Sequence, residues 1–178
     1  MKKIVVTVMM VSVLLLSGFS KTEKETGTVT KLDNNTYEYE NDYYTVSFSK
    51  AMTLNELTTK NVLFTYDSKN YVAISCFSTE EKTFEDFCNR YEMNDEKKPN
   101  YFSADNTFGE QMIPSKIFCY NDGDIYYQST IMQIGDNVII IDAQAYIADD
   151  ESEEAYEQDE AFMNIYESIN FKELTDGK

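Results

Sequence analysis

The chain has 178 residues, 32 of them acidic against 15 basic and none histidine, for a formal charge of -17. A surface this negative repels nucleic acid and anionic membranes, and the lack of imidazole excludes Ser-His-Asp and Cys-His nucleophile arrangements as well as metal sites built on histidine. At 42% hydrophobic and 14% aromatic, with two prolines and six glycines, the composition is that of a folded domain.

In chain order, Met1-Lys2-Lys3, the apolar run from Ile4 to Leu16 and the small pair Ser17-Gly18 follow the charged, apolar, small-residue order of a secretory signal peptide. The run is shorter than the roughly 20 residues a membrane-crossing helix needs. Residues 1–20 therefore read as a leader removed on export before Lys21, and secretion or residence at the cell envelope is expected. Leu16-Ser17-Gly18 also has the form of a bacterial lipoprotein signal, whose fourth position must be a cysteine to receive the lipid. Here it is Phe19, so no lipid anchor is expected, and only an uncleaved leader would attach the chain to a membrane. Residues 21–35 are polar and aperiodic and read as a flexible tether.

From Thr36 the pattern alternates, with Tyr37 and Tyr39 against Glu38 and Glu40, then Tyr44, Val46 and Phe48 against Thr45 and Ser47. Period-two alternation in tyrosine, valine and phenylalanine predicts half-buried strands. Val62–Tyr66 and Tyr71–Phe77 follow around Asp67-Ser68-Lys69-Asn70 as a hairpin. The period then changes: Phe84, Phe87, Cys88 and Tyr91 mark one face of a short helix capped by Thr83, with Glu85 and Asp86 in its first turn. Residues 93–111 show no clear period and read as a long loop.

Met112–Tyr120, Ile125–Ile134 and Asn137–Ile147 predict an antiparallel meander, joined by Asn121-Asp122-Gly123-Asp124 and by Gly135-Asp136. In the last of these strands Ile139, Ile141 and Ala143 share one face, while Val138, Ile140, Asp142, Gln144 and Tyr146 share the other. It is expected to be central, buried on one face and partly covered on the second. An acidic run, Asp149–Glu154, precedes a helix with the stripe Phe162, Ile165, Tyr166 and Ile169, then a short extended Asn170-Phe171-Lys172 and a polar tail, 173–178. The expected fold is α+β, an antiparallel β-sheet of about six to seven strands flanked by a short mid-chain helix and a C-terminal helix, in one domain over residues 36–172.

Two stretches carry a resemblance. Tyr44-Thr45-Val46-Ser47-Phe48 looks like the first-strand pattern of the PsbP-like fold group, and Ile165-Tyr166-Glu167-Ser168-Ile169-Asn170-Phe171 looks like its closing helix-to-strand segment. The group occurs in photosynthetic extrinsic subunits and in bacterial exported lipoproteins. The resemblance implies an antiparallel sheet flanked by helices and a partner-binding or accessory role, and it supplies no catalytic residue.

The chemistry left by composition is narrow. Cys76, Cys88 and Cys119 lack metal-like spacing and are expected as buried free thiols, a Cys76–Cys119 disulfide requiring their strands to be neighbours in register. Ser47 and Lys50 have serine–lysine spacing, but on a strand that spacing sends them to opposite faces. No phosphate-binding glycine pattern is present, and no cofactor is expected. Asp122, Asp124, Asp136 and the acidic run at 149–154 offer oxygen ligands for weak calcium binding, although turn and helix-cap roles account for them as well. Of the 14 tyrosines, Tyr37, Tyr39, Tyr43, Tyr44, Tyr126, Tyr127 and Tyr146 are expected on sheet faces. Tyr37, Tyr39, Tyr43, Tyr126 and Tyr146 form the candidate binding surface, phenol rings offering a flat apolar body with a polar edge. The expected function is an exported, non-enzymatic binding or accessory domain with a protein or glycan partner at the cell surface. The alternatives are a carboxylate-based hydrolase of glycans and a low-affinity calcium-responsive surface protein.

Overall fold

The structure, a computed structural model, describes residues 27–58, 60–146 and 153–172. The leader, the start of the tether, residues 147–152 of the region around the acidic run and the polar tail lie outside the described residues. The described chain forms β1 (Thr28–Lys31), β2 (Thr36–Glu40), β3 (Tyr44–Ser49), β4 (Thr53–Thr58), β5 (Asn61–Thr65), β6 (Tyr71–Ser78), α1 (Phe84–Asp95), β7 (Phe102–Phe108), β8 (Ile113–Asp122), β9 (Ile125–Ile134), β10 (Asn137–Tyr146), α2 (Glu153–Ser168) and β11 (Asn170–Phe171). No described helix is long and apolar enough to cross a membrane.

The fold is α+β, and its strands divide between two antiparallel sheets where one of six to seven strands was expected. The smaller has the order β1-β2-β3-β11 and the larger β4-β5-β6-β10-β9-β8-β7. Three strands fall where the sequence shows no period. β1 lies inside the segment read as a tether, and all four of its residues are exposed. β4 is an irregular edge, with a register shift between Glu56 and Thr58. β7 lies inside the predicted long loop and buries only Phe108. Edge strands are held by ladder hydrogen bonds on one side and bury little, so selection leaves no alternation to read.

The expected elements form for the expected reasons. Thr83 caps α1 in a capping box, its side chain accepting from the Asp86 amide at 3.2 Å while the Asp86 carboxylate accepts from the Thr83 amide at 2.9 Å. At the β8–β9 turn Gly123 has φ +62°, the left-handed value a two-residue hairpin needs at its first position. In the β5–β6 turn the buried Asn70 amide accepts from the Tyr146 amide at 2.6 Å and donates to Asp67, pinning the turn to the end of β10. β10 is central, between β6 and β9, and Val138 through Ile141 are buried on both faces.

One face of the large sheet packs against the small sheet and α2. Phe64 of β5 meets Phe48 of β3 across this seam at 5.2 Å between ring centres. Ile74, Met132 and Ile141 are fully buried in the same cluster, as is Ile165 of α2. The last turn of α2 is locked to β3 by Ser168, whose hydroxyl accepts from the Ser47 amide at 2.8 Å and donates to the Ser47 carbonyl at 3.1 Å. Ser168→Ala leaves both groups without that partner, and should lower the unfolding free energy in urea by about 1–3 kcal/mol; a loss below about 0.3 kcal/mol would show that water replaces the bond.

The three cysteines are free and buried. Cys76 of β6 and Cys119 of β8 are separated by β10 and β9, which rules out the disulfide. Burial pushes the Cys76 thiol up to about 12 and the Cys88 thiol to about 11, so neither forms a ready thiolate.

Candidate functional site

The other face of the large sheet is covered by α1, and only in part. Phe87 and Cys88 in the first half of the helix pack on Phe118, Ile131, Val138 and Ile140. The apolar stripe ends at Tyr91. One turn further on, the same face carries Asn94 and Asp95, and the sheet opposite offers Ala73, Ser75 and Ser129, all too small to fill the gap. A polar helix face above small strand residues leaves a cavity of about 380 Å³.

Asp142 lies on the cavity floor, in the middle of β10, with Ala73 of β6 and Ser129 of β9 as its register partners. Tyr91 donates from its hydroxyl to the carboxylate, 3.0 Å from each oxygen, and Ser129 donates to Oδ1 at 2.5 Å. The carboxylate is enclosed by protein, and the surface the residue keeps opens on the cavity it lines. Tyr120 and Tyr127 stack on each other along one wall, with centroids 4.6 Å apart and planes at 16°. Tyr71 adds a third ring, and Arg90, Asn94, Asp95 and Lys98 line the helix side. Lys98 places its ammonium 5.3 Å from the centre of the Tyr120 ring.

The electrostatics of the site follow from burial. Desolvation pushes the Asp142 carboxyl above the ordinary aspartate value against the hydrogen bonds from Ser129 and Tyr91; Asp95 adds to the rise and Arg90 opposes it. Asp95 is raised by its own burial, opposed by Lys98. Burial and then Asp142 lift Tyr71 to about 12, and the same two causes carry Tyr91 well above its usual value. The phenols therefore stay protonated and act as hydrogen-bond donors. Among the described residues the ion pairs are Lys116–Glu92 at 3.7 Å and Lys172–Glu40 at 2.8 Å. Arg90, Lys98, Asp95 and Asp142 share one cavity, and none of them is ion-paired with another described residue.

The five tyrosines of the candidate surface are placed apart. Tyr39 is fully buried in the core and is corrected from surface to packing residue; Gly27 passes so close to its ring that a Cβ there would collide with it. Tyr37 is half-buried and stacks on Phe48. Tyr43 lies at the start of β3 with Lys60 over its ring, 5.6 Å from the centre. Tyr126 points to the face opposite the cavity, where its hydroxyl lies 3.1 Å from both Cys119 Sγ and Gln128 Oε1. Tyr146 stands at the end of β10 beneath Lys69, 4.3 Å from the ring centre. Of the wider tyrosine set only Tyr127 reaches the cavity, in company with Tyr71, Tyr91 and Tyr120. One signal for the site was present in the sequence, a charged residue, Asp142, interrupting the apolar run of a central strand.

The turn aspartates of the calcium grouping are placed apart, while residues 149–152 of its acidic run lie outside the described residues. Asp122 and Asp124 flank the β8–β9 turn and Asp136 lies in the β9–β10 turn, at opposite ends of a ten-residue strand and so about 30 Å apart. Among the described residues no three His, Cys, Asp or Glu side chains are grouped to hold a metal ion.

Fold and site together define an α+β domain in which a helix roofs a charged, tyrosine-walled cavity on one face of its main sheet. The chain is similar in structure to solved proteins that include the following two. The solution structure of cyanobacterial PsbP (CyanoP) from Synechocystis sp. PCC 6803 has 10% identity, covers 89% of this chain and 99% of that one, and gives a TM-score of 0.43. The crystal structure of LpqN, involved in cell envelope biogenesis of Mycobacterium tuberculosis, has 10% identity, covers 83% and 91%, and gives 0.39. No protein-family pattern and no curated protein matches the sequence. The functional reading rests on this chain's own side chains.

Proposed function

We propose that the chain is an exported, non-enzymatic binding domain of the cell envelope whose cavity beneath α1 holds a small ligand. The observation that supports this most directly is the cavity itself, floored by a carboxylate whose hydrogen-bond partners are two hydroxyls and walled by aromatic rings. The leader pattern of residues 1–20 supports export. Binding is favoured over chemistry because both Asp142 oxygens already accept hydrogen bonds, and because the phenols and thiols with resolved shifts are pushed away from their nucleophilic forms.

Mature protein purified from its native envelope extract should carry a bound small molecule, visible by native mass spectrometry. Ala73→Phe, which grows a ring into the cavity beside Asp142, should lose that mass while keeping its melting temperature within a few degrees. Equal occupancy in both proteins would place the ligand elsewhere, and no bound mass in either would remove the reading.

A second reading, glycan hydrolysis, is favoured by one observation: Asp95 and Asp142 line the same cavity and both are raised, as an acid–base pair would be. Turnover of chromogenic glycosides by the same preparation, abolished in Asp95→Asn, would replace the binding role with this one.

A further inference from the structure

We infer that the ligand of this cavity is a small zwitterion, a molecule with an ammonium group and a carboxylate, such as a free amino acid or a dipeptide. This rests on the cavity being the ligand site. The argument starts from the four charges on its lining. Asp142 and Asp95 supply two carboxyl groups, Arg90 and Lys98 two cationic ones, and the structure holds them around one space without a single ion pair between them. Arginine and lysine side chains are long and mobile enough to close on a neighbouring carboxylate when nothing opposes it. A carboxylate enclosed by protein without a cationic partner is costly, and here hydroxyl donation from Tyr91 and Ser129 stands in for that partner.

Each simpler ligand class leaves part of this lining unmatched. A plain amine would satisfy the floor carboxylate and meet Arg90 and Lys98 as like charges. A plain acid would suit those two and meet Asp142. A neutral sugar would stack on the Tyr120 and Tyr127 wall and bring no counter-charge to any of the four groups. A zwitterion matches the whole lining, its ammonium toward Asp142 on the sheet side and its carboxylate toward Arg90 and Lys98 on the helix side. The planar guanidinium of Arg90 is the better fit of the two to a carboxylate. Any apolar side group would then rest against the Tyr71, Tyr120 and Tyr127 rings, and the volume suits a molecule of that size.

The test uses the mature protein and saturation-transfer NMR with three probe pools: the common amino acids with a set of dipeptides, the matching amines lacking the carboxylate, and the matching N-acetylated acids lacking the ammonium. Only the zwitterionic pool should give protein-dependent signals, and the resonances that respond distinguish free amino acids from dipeptides. Asp142→Asn and Arg90→Gln should each weaken the strongest binder at least about tenfold, and Ala73→Phe should abolish it. Amines or N-acetylated acids binding as well as the zwitterions would overturn the inference. So would a neutral molecule recovered from the native protein and lost in Ala73→Phe, an outcome that leaves the cavity as the ligand site. Silence from all three pools, with no bound mass in the native preparation, would sink both.

Discussion

Phe64→Ala is expected to lower the unfolding free energy by about 3–5 kcal/mol, the range for removing a fully buried aromatic ring. Phe64 has no exposed surface and stands where β5 of the large sheet faces β3 of the small one, its ring 5.2 Å from that of Phe48. A cavity there separates two sheets that share no ladder hydrogen bonds, so they are joined by packing and by the chain connecting them. Unlike a hole under a flexible surface loop, this one has strands on both sides and little room to collapse. The control is Phe102→Ala on the edge strand β7, where the ring is 56% exposed and the cost should stay within about 0.5 kcal/mol. Urea unfolding of both variants decides the matter: equal losses would mean that the seam between the sheets does not hold the domain together.

Asp142→Asn should be more stable than the wild-type chain at neutral pH and should lose that advantage as the pH falls. The folded-state carboxyl titrates above its ordinary value of 3.8, raised first by burial. Between those two values the folded chain binds more protons than the unfolded chain, so the stability tied to this group is complete below 3.8 and is lost as pH rises through the folded value. The asparagine variant keeps an oxygen to accept from Tyr91 and Ser129 and has no proton to lose. The groups facing Asp142 are Arg90, Tyr91 and Asp95 from α1, Tyr71 from β6, and Ser129 and Tyr127 from β9. Of these, Asp95 is the other carboxyl, itself raised, so the comparison is repeated in an Asp95→Asn background. Stability curves from urea unfolding that run parallel from about pH 4 to 8 in both backgrounds would contradict the assignment.

Much of the backbone was readable because its signals are local. The Thr83 cap, the stripe from Phe84 to Tyr91, the turns at Asp67–Asn70 and Gly123, and the apolar run of β10 each lie within about ten residues, and the structure forms all of them. β1, β4 and β7 were not readable, since an edge strand takes its place from the neighbour it pairs with. Among the candidate tyrosines, Tyr39 departs from the expectation for a related reason. Alternation tells which residues share a face of one strand, and it does not tell which face turns inward once a second sheet packs against it. Tyr39 became core for that reason.

By itself the sequence determined the α+β class and the central position of β10, because hydrophobic period, turn chemistry and composition act locally or in sum. The tertiary structure alone decided the division into two sheets and the site. Register across β6, β10 and β9 sets Ala73, Asp142 and Ser129 side by side, and the packing of the first half of α1 carries its polar second half over them. Residues up to about 70 positions apart meet there only because strand pairing and helix packing bring them together, and no local pattern encodes that meeting.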